Sequence, residues 1–130
     1  MNTIKAFMVG IFFPTLIIPF ALLILNCLGF QNVTFVIFVH FIPILWGIWN
    51  VLYFWICRHF LPADEMASGI LTGGFLGLLV ALIAVFCIDL PESFGLEGGI
   101  QYIPLVVAPI LYAIFWVLIV TPLNRALDVR

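Results

Sequence analysis

Apolar and polar positions along this chain fall into long blocks rather than a regular alternation. Four apolar runs stand out, from about Ala6 to Leu28, Val33 to Cys57, Met66 to Ile88 and Ile100 to Thr121. Each is more than twenty residues long, and a helix rising 1.5 Å per residue then reaches across a hydrocarbon core of about 30 Å. In lipid the backbone must satisfy its own hydrogen bonds, which leaves helices or closed barrels. The strict apolar–polar alternation of a barrel strand is absent, so helices are expected. The pattern predicts an all-α, polytopic integral membrane protein: one domain over residues 1–130, a four-transmembrane-helix bundle built from two helical hairpins.

Local signals refine the ends. In RHFLPADEMASG, Pro62 suits a first helical turn, and Asp64 and Glu65 then sit at the positive end of the helix dipole. The third helix is therefore expected to start in water, and the helices are placed at about 6–28, 33–57, 62–88 and 100–122. Gly29-Phe30-Gln31-Asn32 predicts a tight turn, and LPESFGLEGG a flexible acidic connection. The first run is longer than the roughly 7–15 residue core of a secretory signal and has no small-x-small site after it, so it is read as a retained span.

Composition agrees with this. The chain of 130 residues is 66% hydrophobic and 8% charged, against about a quarter charged in a soluble domain. Its mean hydropathy is +1.36. With four basic residues and a net charge of −2 there is no patch to neutralise phosphates, so nucleic acid is not an expected partner. Lys5, Arg58, Arg125 and Arg130 all fall on one side of a four-span topology. The positive-inside rule makes that side cytoplasmic, with both termini inside, and short loops suit a bacterial inner membrane.

SGILTGGFLGLLVALIAVF sets Gly69, Gly73 and Gly77 four residues apart, with Ala81 continuing the line. At that spacing successive residues advance only about 40° around a helix, so the four form one smooth ridge. Helices in lipid gain little from hiding leucines and more from close backbone approach, which small residues permit. The ridge predicts a helix-packing seam, with a neighbour in the same chain or in a second copy. Pro14 and Pro19 lie in the first span, Pro43 in the second, and Pro104 and Pro109 in the fourth. Each frees a carbonyl, to be re-satisfied by neighbours or to line a path.

Few polar side chains fall at membrane depth, and each is a candidate site. His40 lies about 10 Å below the outer end of the second helix and is the candidate proton carrier or ligand. Asn50 lies at similar depth from the inner end and suits an interhelical hydrogen bond. Trp46, Trp49, Asn50 and Tyr53 share one face by spacing and form a candidate lining for a cleft. Trp55, Trp116 and Tyr102 suit the aromatic belts at the membrane surfaces. HFIP at 40–43 and QYIP at 101–104 are each followed at equal distance by Phe-Trp, which suggests a duplicated hairpin.

Reactive constellations are not found. The three cysteines stand apart without a C-x-x-C pair, the acidic loop lacks calcium spacing, and there is no nucleophile with a base and no phosphate loop. No catalytic residue, metal or cofactor is expected. In size and helix count the chain resembles a small multidrug exporter, but such a protein keeps a carboxylate in its first helix and here that helix has none. The sequence thus favours a non-catalytic packing or assembly subunit, a homo-oligomer or part of a larger membrane complex in the lipid bilayer. The alternative is a small oligomeric transporter or channel with a pathway near His40 and Asn50.

Overall fold

The structure is a computed structural model and describes residues 2–129. Helix α1 (Thr3–Cys27) opens on Asn2, whose side chain accepts the Lys5 N–H at 3.2 Å. A 3₁₀ turn (Gln31–Phe35) leads to α2 (Ile37–Trp55), and a second (Cys57–His59) leads toward α3 (Glu65–Leu82). A π turn (Ile83–Cys87) extends α3, followed by the short α4 (Leu90–Ser93) and a 3₁₀ turn (Gly98–Tyr102). The last segment is α5 (Pro104–Phe115), a π turn (Trp116–Val120) and α6 (Thr121–Ala126). No strand occurs among the described residues. Four segments, Thr3–Cys27, Ile37–Trp55, Glu65–Cys87 and Gly98–Ala126, are long and apolar enough to cross a membrane. The chain is an all-α four-helix bundle of the multi-pass membrane type.

Several ends differ from the sequence expectation for local reasons. Helix α3 starts at Glu65 rather than 62, because Asp64 adopts an extended conformation and its carboxylate caps the Ala67 N–H at 2.9 Å. Helix α2 starts at Ile37 because residues 31–35 wind as a 3₁₀ turn instead of a tight hairpin turn. The fourth segment runs past Thr121 to Ala126. It passes Pro122, which has no N–H to offer the preceding turn, and the backbone widens into a π turn immediately before it.

Helices α1 and α2 pack as one hairpin and α3 and α5 as the other. Inside each hairpin the backbones nearly touch. A Cβ at Gly10 would fall 2.5 Å from the Trp46 carbonyl oxygen and 2.7 Å from Gly47 Cα. In the second hairpin, a Cβ at Gly73 would meet the Tyr112 carbonyl oxygen at 2.5 Å, and one at Gly77 the Ala108 carbonyl oxygen at 2.5 Å. Gly69 faces Thr121 and Val117, each at 3.1 Å from the same construction, and Ala81 is buried. The glycines of the α3 ridge are therefore covered by the last segment of the same chain, α5 at Gly73 and Gly77 and the stretch from Val117 to Thr121 at Gly69.

The hairpins meet through side chains. Trp46 lies against Phe13, Tyr112 and Trp116, with ring centroids at 6.0, 5.0 and 5.5 Å. Phe13 also meets Phe115 at 4.8 Å. Val9, Leu76, Val80 and Val120 complete the buried core. Trp116, expected in the interfacial belt, is instead 1% exposed at the centre, whereas Trp55 is 58% exposed at the end of α2. The outer surface carries exposed Phe20, Phe35, Phe41 and Leu118, an apolar exterior suited to lipid.

The two similar motifs differ in local helix type: His40 to Pro43 lie within α2, whereas Gln101 lies in a 3₁₀ turn and Pro104 opens α5.

Candidate functional site: buried amides and a polar cavity at the end bearing the termini

The stripe on α2 resolves into two contact lines. Residues at spacings of three and four spread over an arc of about 100° on a helix, wide enough to face two neighbours. Trp46 and Asn50 turn to the fourth segment, Trp49 and Tyr53 to α3.

Asn50 is wholly buried. Its Nδ2 donates to the Ala6 carbonyl at 2.7 Å and to Asn124 Oδ1 at 2.9 Å. Asn124 Nδ2 returns a bond to Asn50 Oδ1 at 2.9 Å, which makes a reciprocal amide pair. Three segments, α1, α2 and α6, are thus joined at one buried point. In lipid each such bond contributes on the order of 1 kcal/mol. Losing one partner strands the other, at about 1–3 kcal/mol.

On the α3 side, Trp49 Nε1 donates to the Thr72 carbonyl at 3.0 Å and its ring stacks on Phe75, 5.7 Å away and inclined by 13°. Ser68 Oγ donates to the Tyr53 hydroxyl at 3.2 Å, and Thr72 Oγ1 donates to the Ser68 carbonyl at 2.6 Å. Among the described residues, Thr34 Oγ1 is buried without a hydrogen-bond partner. His40 stands apart from this network. It is exposed, and its Nε2 lies 2.8 Å from the Thr34 carbonyl oxygen, a geometry that places the proton on Nε2. Ten residues separate it from Asn50, about 15 Å along the helix, so the two do not share a site.

Below the amide pair, at the end that holds both termini, is a cavity of about 300 Å³. Tyr53, Glu65, Thr121, Asn124, Arg125 and Asp128 line it, with Phe54 and Val129 as its apolar wall. Arg125 and Glu65 form an ion pair at its rim, tying the start of α3 to α6. At this end Lys5 Nζ also donates to the Leu127 carbonyl at 3.4 Å, and Arg58 lies 5.8 Å over the Phe54 ring.

Asn124, Tyr112 and Gly10 carry no signal in the sequence reading, and Trp116 is read there as an interfacial residue. Asn124 sits two residues beyond the expected helix end at 122, and the helix in fact continues to Ala126. Gly10 is a lone glycine with no spacing to mark it.

No group of three or more His, Cys, Asp or Glu able to hold a metal occurs among the described residues. The chain matches no family model, no curated protein and no solved structure.

Proposed function

We propose that this chain is a non-catalytic integral membrane subunit that acts by assembling with copies of itself or with a larger complex, its termini on the cytoplasmic side. The observation that carries this is the disposition of the polar groups at membrane depth. Asn50, Asn124, Trp49, Tyr53 and Ser68 bond to one another or to backbone across helices, and the Thr72 hydroxyl is spent on the Ser68 carbonyl of its own helix, which is the work of structural glue rather than of a site for substrate. Because the last segment of the same chain covers Gly69, Gly73 and Gly77, assembly falls to the lipid-facing surfaces instead.

Crosslinking in native membranes tests this. Probes at outward positions such as Phe20 and Ile110 are expected to capture a second chain or a partner, while probes at Gly73 or Gly77 capture none. A strictly monomeric chain with no co-purifying protein overturns it.

A second reading, a small oligomeric transporter or channel, has the cavity below Asn124 in its favour. Against it, Trp46 and Trp116 fill the core beyond the amide pair, and His40 lies outside the bundle interior. Flux across liposomes carrying wild type and Asn50→Ala decides this alternative; no flux for common ions or lipid probes removes it.

A further inference from the structure

We infer that the chain beyond Pro122 is a hinged strap, which opens and closes the polar cavity at the end of the bundle that holds the termini. The inference stands whether or not the chain has a protein partner. Before the hinge, the last segment is fixed on α3 by backbone contact: a Cβ at Gly73 or Gly77 would lie 2.5 Å from a carbonyl oxygen of α5. Between the fixed part and the strap the helical ladder thins. The Thr121 N–H bonds to the Trp116 carbonyl, five residues back, and Pro122 has no N–H to give. Helices bend where a π turn or a proline interrupts the ladder, and here the two are adjacent.

Beyond the hinge the attachments are of another kind. Asn124 pairs with Asn50 of α2, Arg125 with Glu65 of α3, and the Leu127 carbonyl accepts from Lys5 of α1 at 3.4 Å. The strap thus lies across the ends of the three other spanning helices. It also brings Thr121, Asn124, Arg125 and Val129 to the cavity lined by Tyr53 of α2 and Glu65 of α3, so the walls part when the strap moves. Water replaces such attachments readily. The Arg125–Glu65 pair is exposed, at 71% and 57%, the Lys5 bond is long, and Asn124 itself lines the cavity. Amides parted at this end therefore find water, which amides parted in hydrocarbon do not. Val129 is buried against the core and comes away with the strap, and the cost of withdrawing it keeps the closed form dominant. The open form presents Asn50 and Tyr53 to the aqueous side.

Dipolar electron paramagnetic resonance on the full chain in reconstituted bilayers tests the hinge. Spin labels at Met66→Cys and Ala126→Cys, both exposed positions, read the strap against α3, with Cys27, Cys57 and Cys87 replaced by serine. A second pair, Ile70→Cys and Ile110→Cys, joins α3 to α5 before the hinge and serves as the reference. The first pair is expected to show a short distance and a rarer, longer one. Glu65→Gln is expected to raise the long-to-short ratio about threefold. Asn124→Ala, which strands Asn50 in the closed form, is expected to raise it about tenfold. The reference pair is expected to stay unchanged in both. Glu65→Gln alters an exposed pair alone and decides the matter if Asn124→Ala does not fold. A single short distance between positions 66 and 126 in wild type and in every folded variant overturns the proposal. Lengthening of both pairs together also overturns it, since the second hairpin would then loosen as a whole rather than at Pro122.

Discussion

Within each hairpin the helices touch backbone to backbone, whereas between the hairpins they are held apart by large side chains and joined by amides. Gly10, Gly73 and Gly77 sit where even a methyl group would collide with a facing carbonyl. Across the hairpin boundary the contacts are Trp46 on Trp116 and Tyr112, Asn50 on Asn124, and Trp49 on the Thr72 carbonyl. Both solutions answer one constraint. Lipid tails are as apolar as leucine, so burying leucine does not bring helices together, and close packing or hydrogen bonds must do so. The glycine contacts specify which helices form a hairpin; the aromatic and amide contacts specify how two finished hairpins meet.

The largest expected effect breaks a hairpin from within. Gly77→Leu drives a side chain into the Ala108 and Pro109 backbone, and reversible unfolding in mixed micelles should show a loss of about 3 kcal/mol. Its control is Gly74→Ala. There a new Cβ meets the Pro109 carbonyl oxygen at 3.7 Å and Ala113 Cβ at 3.9 Å, an ordinary contact, so the gain in helix propensity of up to about 1 kcal/mol should survive. Opposite signs at Gly74 and Gly77 separate the ridge from glycine in general. If both substitutions stabilise, close backbone approach is not what the ridge provides.

Next comes the boundary between hairpins. Trp46→Ala empties the centre of the aromatic cluster and should lower stability by about 2–3 kcal/mol. That is below the roughly 3–5 kcal/mol of such truncations in water-soluble cores, because lipid solvates the freed apolar surface. The near-ultraviolet circular dichroism of the tryptophans should fall while helix content stays, since each hairpin keeps its own glycine contacts. A parallel loss of helix content would mean that the hairpins do not form separately.

These contrasts also show what the sequence could and could not convey. The four spans follow from composition alone, because about twenty apolar residues have few other folds open to them in lipid. The ridge was legible from its spacing, but spacing does not say what it faces, and α5 inside the same chain was one choice among several. The rotation of each helix about its axis was not legible. An apolar segment gives no contrast between lipid and core, so Trp116 was assigned by depth to the interfacial belt while its ring points inward. For the same reason Trp46, Trp49, Asn50 and Tyr53 read as one lining although they divide between two neighbours. Asn124 lies beyond the end of the apolar run at Thr121, whereas the helix continues past Pro122 to Ala126.

The smallest expected effect lies at the rim. Glu65→Gln removes the ion pair to Arg125, which is exposed, and should change stability by no more than about 1 kcal/mol in the same assay. A loss as large as that of Trp46→Ala would mean that the second hairpin depends on its exposed end as much as the two hairpins depend on their buried joint.

The most direct measurement is a double-mutant cycle of Asn50→Leu, Asn124→Leu and the double variant, followed by reversible unfolding of the full chain. Each single substitution strands a buried amide and should lower stability by about 1–2 kcal/mol, whereas the double variant, with neither amide left, should lose clearly less than the sum. Additive losses, with no coupling between positions 50 and 124, would contradict a bundle whose two hairpins are joined by that pair.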